Sequence, residues 1–170
     1  SGPLRLRYGT ARDFTLGMSV INAEGKITKS GGKVVKNVAG YEMAKLNIGA
    51  LGTLGIIAQV TFKVFPKPKE EITFGAAFKN ASDACKAVKA FWNLTTPPMA
   101  IELFDAKLAR AVGIKPPAGS EPTGGSTENN FVVAARFGGT KTVGDAASRK
   151  AEAAARDANA ASVEIISGAG

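Results

Sequence analysis

The triplet Pro66-Lys67-Pro68 constrains the fold most, because two prolines so close end any helix or interior strand that reaches them. The chain differs in kind on its two sides. Residues 1–69 hold 11 Lys and Arg against 3 Asp and Glu, with 10 of the 20 glycines; residues 70–170 hold 11 charges of each sign. The whole formal charge of +8 therefore belongs to the first segment. With 170 residues to share, the chain is expected to form two small lobes, 1–68 and 69–170.

Hydrophobic residues at 45% and charged residues at 21% are globular proportions, which excludes a disordered, collagen-like or coiled-coil chain. No stretch approaches the roughly 20 apolar residues of a membrane span. The single cysteine, Cys85, cannot close an internal disulfide. Together with the lack of a basic-then-apolar opening, this points to a reducing, cytoplasmic setting. The absence of histidine removes the usual zinc sites and the Ser-His and Cys-His nucleophile pairs. No metal ligand is assigned.

Periodicity gives a coarse map. In the first segment, alternation over 4–8 (LRLRY) reads as a short strand, and Phe14 to Ile21 as another. Asn22 to Gly25 reads as a turn and Lys26 to Lys29 as the return strand. Gly40 to Leu46 could form a small helix, and Ile56 to Phe65 is the clearest strand. In the second segment, Ile72 to Phe78, Met99 to Phe104, Phe131 to Phe137 and Val163 to Ile166 read as strands. A helix over Ser82 to Trp92 shows an apolar stripe of Ala84, Ala87, Val88 and Phe91, capped by Asn80 or Ser82. Asp105 can cap a short helix running to Val112. Lys115 to Asn130 reads as a loop. Thr142 to Ala161 is an alanine-rich helix with Val143, Ala147, Ala151, Ala154 and Ala158 on one face. The fold class is α+β: a mostly antiparallel sheet with a small helix, then a ferredoxin-like βαββαβ segment.

Three stretches carry possible chemistry. Gly49-Ala50-Leu51-Gly52-Thr53-Leu54-Gly55 is not a dinucleotide fingerprint, because its spacing is G-x-x-G-x-x-G and it precedes a strand. It leaves three positions without side chains, where a flat or anionic ligand could meet backbone N–H groups; as a bare pattern it is more often a set of tight turns. The run GGKVVKNVAGYE gathers Lys33, Lys36, Asn37 and Tyr41, which suit anionic oxygens, an amide edge and ring stacking, or equally a loop of solvated lysines. Arg12-Asp13 is an ion-pair candidate that would order a turn.

In joint order and spacing these stretches resemble the FAD-linked oxidase family, the FAD-binding (type 4) class of vanillyl-alcohol oxidase. The matching residues are YGTARDF with Leu16-Gly17, GGKVVKNVAGYEM and GALGTLGIIAQV. The nearest branch is the FAD-binding E subunit of glycolate oxidase. The resemblance implies that 1–68 is the second subdomain of the FAD domain and that 69–170 is a ferredoxin-like cap. It implies cofactor contacts at Gly49, Gly52, Thr53, Gly55, Ile56 and Ile57, and at Lys36, Asn37 and Tyr41. It also implies FAD held non-covalently, since no histidine is present to tether it. Leu51 stands where many relatives carry an acid, and Glu42 where many carry Asp. The matched motifs begin past the family's pyrophosphate loop, so the chain is expected to be a fragment or truncated copy, inactive by itself. Its expected partners are the missing FAD subdomain or other subunits of a glycolate oxidase-like complex. An open sheet edge would also favour self-association. No catalytic residue is assigned. Two other readings remain: a ligand-free structural or assembly remnant, and a basic nucleic-acid-binding module. The latter is disfavoured, because aromatics are only 7% and no RNP-type motif is present.

Overall fold

The computed structural model describes residues 2–33, 43–111 and 131–167. The chain divides into two compact units, one formed by Tyr8–Pro66 and the other by Lys67–Gly170 with Gly2–Arg7.

The chain opens with one helical turn, α1 (Arg5–Tyr8), where alternation predicts a strand. Five alternating residues fit either state, and hydrogen bonding decides. The Arg5 N–H donates to Gly2 O at 3.0 Å and the Arg7 N–H to Leu4 O at 3.1 Å. Pro3, with its φ fixed, suits the first turn of a helix.

The first unit comprises α2 (Ala11–Phe14), β1 (Thr15–Ile21), β2 (Ile27–Gly31), α3 (Ala44–Asn47) and β3 (Ile56–Phe62). Its sheet has the order β2-β1-β3, antiparallel throughout. Phe14 closes α2 rather than opening β1. The Arg12-Asp13 ion pair is replaced by a cap: the Asp13 carboxylate accepts from the Thr10 N–H and hydroxyl, both at 2.7 Å. The Arg12 guanidinium donates instead to the Lys45 carbonyl at 3.5 Å. The expected turn at Asn22 forms, with Asn22 Oδ1 accepting from the N–H of Glu24 (3.1 Å) and of Lys26 (2.9 Å). The expected helix over Gly40 to Leu46 is α3, displaced toward Asn47; Gly40 to Glu42 lie outside the described residues. Among the described residues, the buried core of this unit is Met18, Val20 and Ala44, with Ile48 and Val60 packed against it. Beyond β3, Phe65 stacks obliquely on Tyr8 (5.3 Å) and edge-on to Phe14 (5.6 Å).

The second unit runs β4 (Glu70–Phe78), α4 (Ala81–Trp92), β5 (Ala100–Asp105), α5 (Ala106–Ala111), β6 (Phe131–Gly139), α6 (Lys141–Asp157) and β7 (Ser162–Ser167). The order β5-β6-β4-β7 with antiparallel neighbours is the split βαβ topology. Asn80 caps α4, its Oδ1 accepting from the Asp83 N–H at 2.9 Å. Asp105 caps α5 through the Leu108 N–H at 2.6 Å. The core is Phe74, Phe78, Phe91, Val133 and Phe137, with the small residues of α4 and α6 laid over them. The expected loop over 115–130 lies outside the described residues.

The expected face of α6 forms at Ala147, Ala151 and Ala158, which are buried, and at Ala154, which packs against the core; Val143 departs from it. Gly144, Ala147, Ser148, Ala151 and Ala155 are buried, while Val143 is exposed. A Cβ on Gly144 would stand 2.6 Å from Ile72 Cδ1, so close approach to β4 selects the smallest side chains for this face. Hydrophobicity alone selects Val143.

Candidate functional site

The segment 49–57 links α3 to β3 through two successive turns. The Ala50 N–H donates to Asn47 O at 3.3 Å, and the Thr53 N–H to Ala50 O at 3.0 Å. Thr53 Oγ1 donates to the same Ala50 carbonyl at 2.7 Å. At the centre of the second turn Leu51 has φ 51° and Gly52 has φ 81°, the paired positive values of a type I′ turn. Leucine is strained there by about 1–2 kcal/mol.

The three glycines do different work. Gly55, at φ 149°, lies so close to β1 that a Cβ would stand 2.6 Å from Ile21 O and 2.7 Å from Val20 Cγ1. It docks the end of the loop onto the sheet. Gly49 (φ 85°) and Gly52 shape turns, and a Cβ at either would meet no atom within 4 Å. Their outer side is open.

What this loop offers to a ligand can be counted. The Thr53 N–H is consumed within the turn, whereas the N–H groups of Leu51, Gly52 and Leu54 have no hydrogen-bond partner among the described residues. Leu51 is 96% exposed and Leu54 57%. Ile56 and Ile57 are neighbours on β3 and so point to opposite sides of the sheet, yet they are 68% and 44% exposed. At its start, β3 is therefore an edge strand uncovered on both faces. Leu54 lies within the matched motif GALGTLGIIAQV but is not among the cofactor contacts selected from it; its apolar side chain flanked by Gly52 and Gly55 is the available signal.

Of the residues selected from sequence, Gly49, Gly52, Thr53, Gly55, Ile56 and Ile57 form one continuous stretch of exposed or half-exposed backbone. Lys36, Asn37 and Tyr41, with Glu42, lie outside the described residues. In this unit, the perturbed carboxyl is Asp13, held below its ordinary value by the Thr10 backbone and hydroxyl hydrogen bonds. It belongs to the α2 cap. Among the described residues, no group of His, Cys, Asp or Glu could hold a metal ion, and no helix is long and apolar enough to cross a membrane.

No protein-family model matches the chain. Curated relatives do. The chain is 39% identical over 106 residues to glycolate oxidase subunit GlcD of Bacillus subtilis, covering 62% of this chain and 23% of that protein. It is 36% identical over 107 residues to D-lactate dehydrogenase of Anaerostipes hadrus, covering 63% and 22%. It is 41% identical over 73 residues to glycolate oxidase subunit GlcE of Escherichia coli K12, covering 43% and 21%. The chain thus spans less than a quarter of each. Among solved structures, alkyldihydroxyacetonephosphate synthase superposes with a TM-score of 0.70 at 20% identity, covering 94% of this chain and 31% of that one; this likeness concerns the fold. Over the matched stretch, the chain is homologous to the FAD-linked oxidoreductases that include glycolate oxidase subunits and D-lactate dehydrogenases.

Proposed function

We propose that the chain is part of an FAD-linked oxidoreductase subunit and that its first unit supplies one side of the flavin site. The observation that carries this reading is the open backbone of 49–55, with unused N–H groups at Gly52 and Leu54 and with exposed Leu51, Leu54, Ile56 and Ile57 around them. A flavin ring is flat and apolar across its faces and carries hydrogen-bond acceptors along one edge. Unused amides beside uncovered apolar side chains fit both properties.

In this reading Gly52 and Leu54 donate their N–H groups to the ring edge, and one of the β3 neighbours Ile56 and Ile57, which point to opposite sides of the sheet, covers a face and excludes water. Gly49, Thr53 and Gly55 fix the loop, Thr53 by tying its N–H and hydroxyl to Ala50. The resemblance adds Lys36, Asn37 and Tyr41 as further cofactor contacts. When bound, FAD, held non-covalently, would accept a hydride from the carbon bearing the hydroxyl of a 2-hydroxy acid. In this reading the second unit is the cap segment. The opposite side of the cofactor comes from another FAD subdomain or from a partner subunit, which suits the uncovered edge at β3; a second copy of the chain could occupy the same edge.

Equilibrium dialysis against FAD tests the reading. Saturable, weak retention by the wild-type chain is expected, with a loss of at least about tenfold in Thr53→Glu, which places a carboxylate on the exposed loop. Equal retention by wild type and variant, or none at millimolar FAD, contradicts it.

A further inference from the structure

The second unit contains a cavity of about 220 Å³ lined by Leu6, Arg7, Trp92, Pro97 and Pro98. It lies wholly inside that unit and does not depend on the flavin reading. Its size is below the usual 300–1,000 Å³ of drug-sized sites, so it suits a small ligand and is too small for a dinucleotide.

The chemistry of the wall is one-sided. Pro97 and Pro98 bring no N–H, and Pro98 is fully buried, so they form a fixed apolar floor. Leu6 adds aliphatic surface. Trp92 sits at the end of α4 with 60% of its surface exposed, although it is the chain's single tryptophan and the largest apolar ring available to the core. The polar side chains of the lining are donors: the Arg7 guanidinium and the Trp92 indole N–H. Neither has a hydrogen-bond or ion-pair partner among the described residues. Among the described residues, no acidic side chain lines the cavity.

An unpartnered guanidinium beside an apolar slot with no competing acid selects an anionic head on a compact apolar body. A carboxylate matches the planar fork of arginine with two parallel hydrogen bonds. From this we infer that the cavity is a binding site for a small monocarboxylate with a compact apolar body, its carboxylate on Arg7 and its body between Trp92 and the two prolines.

The single tryptophan makes the site its own reporter. Cyclohexanecarboxylate is the probe, since it does not absorb where indole is excited, and cyclohexanecarboxamide is its neutral counterpart. Titration of the full chain, followed by Trp92 emission, is expected to saturate with the carboxylate binding about tenfold more tightly than the amide. Arg7→Gln, on the exposed surface of α1, is expected to abolish that preference while leaving far-ultraviolet ellipticity unchanged. Arg7→Lys is expected to keep most of it. Isothermal titration of the wild-type chain is expected to give the affinity that the emission gives, and the same titration of Trp92→Phe is expected to show binding weakened several-fold. Equal affinity for acid and amide, or a preference that survives in Arg7→Gln, overturns the inference.

Discussion

Replacing Gly55 by alanine tests the claim that this residue docks the 49–55 loop onto the sheet. Two costs can be worked from the structure. The backbone sits at φ 149°, a conformation that side-chain-bearing residues seldom adopt, worth about 1–3 kcal/mol. The added methyl would stand 2.6 Å from Ile21 O and 2.7 Å from Val20 Cγ1. The oxygen is backbone, and its strand is held in register by the Val20–Ile57 and Ile21–Ile56 pairs, so it cannot retreat cheaply. Overpacking of this kind costs about 1–3 kcal/mol. The sum, about 2–6 kcal/mol, is large beside the buried cluster of Met18, Val20 and Ala44, the core of this unit among the described residues. Gly52→Ala is the control: its φ is 81° but its Cβ meets nothing within 4 Å, so only the conformational cost of about 1–2 kcal/mol applies. Amide hydrogen exchange in the intact chain reads both variants, with β1 and β3 as the reporters and β6 as the internal reference. The reasoning is refuted if Gly55→Ala weakens protection in β1 no more than Gly52→Ala does.

Three further outcomes are expected. Phe91→Ala should cost about 3–5 kcal/mol in the second unit, because the ring is fully buried edge-on to Phe74 at 5.8 Å; urea denaturation of that unit measures it. Ser148→Ala should be neutral or stabilise by about 1 kcal/mol, since Ser148 Oγ is buried without a hydrogen-bond partner among the described residues; a thermal melt decides. Asp13 is held below its ordinary value of 3.8 by Thr10, so its contribution to stability is present above that value and is lost as pH falls through the lower folded value. Asp13→Asn should therefore flatten the acid limb for the first unit. The second unit keeps its own dependence through Asp83, lowered by Lys86 and Asn80, and unit-resolved NMR acid titration separates the two.

Much of the architecture is legible because local and tertiary demands agree. Asn22 reads as a turn residue and acts as one, the structure selects Asn80 over Ser82 as the cap of α4, and the four strands of the second unit alternate with helices as their periodicity requires. The misreadings share a cause. Leu4 to Tyr8 and Phe14 lie in stretches of four or five residues, where a period of 2 cannot be told from one helical turn. On α6 the alanine stripe is legible, and the departure lies at its start, where Gly144 is buried against Ile72 while Val143 is exposed. The sequence marks the glycine loop as a place where a ligand could meet backbone. It does not reveal that Gly55 is spent on packing, or that the Thr53 N–H is spent on Ala50; both depend on where β1 and Ala50 stand.

The central claim is that the backbone between Gly49 and Ile57 faces a flavin. Backbone-amide NMR of the full chain with excess FAD addresses it residue by residue. The account predicts that the largest saturable shifts fall on Gly52 and Leu54, with Ile56 and Ile57 next, and that the amides of β4 and β6 stay in place. Shifts that gather in the second unit, or a loop that does not respond while FAD binds elsewhere, would contradict it.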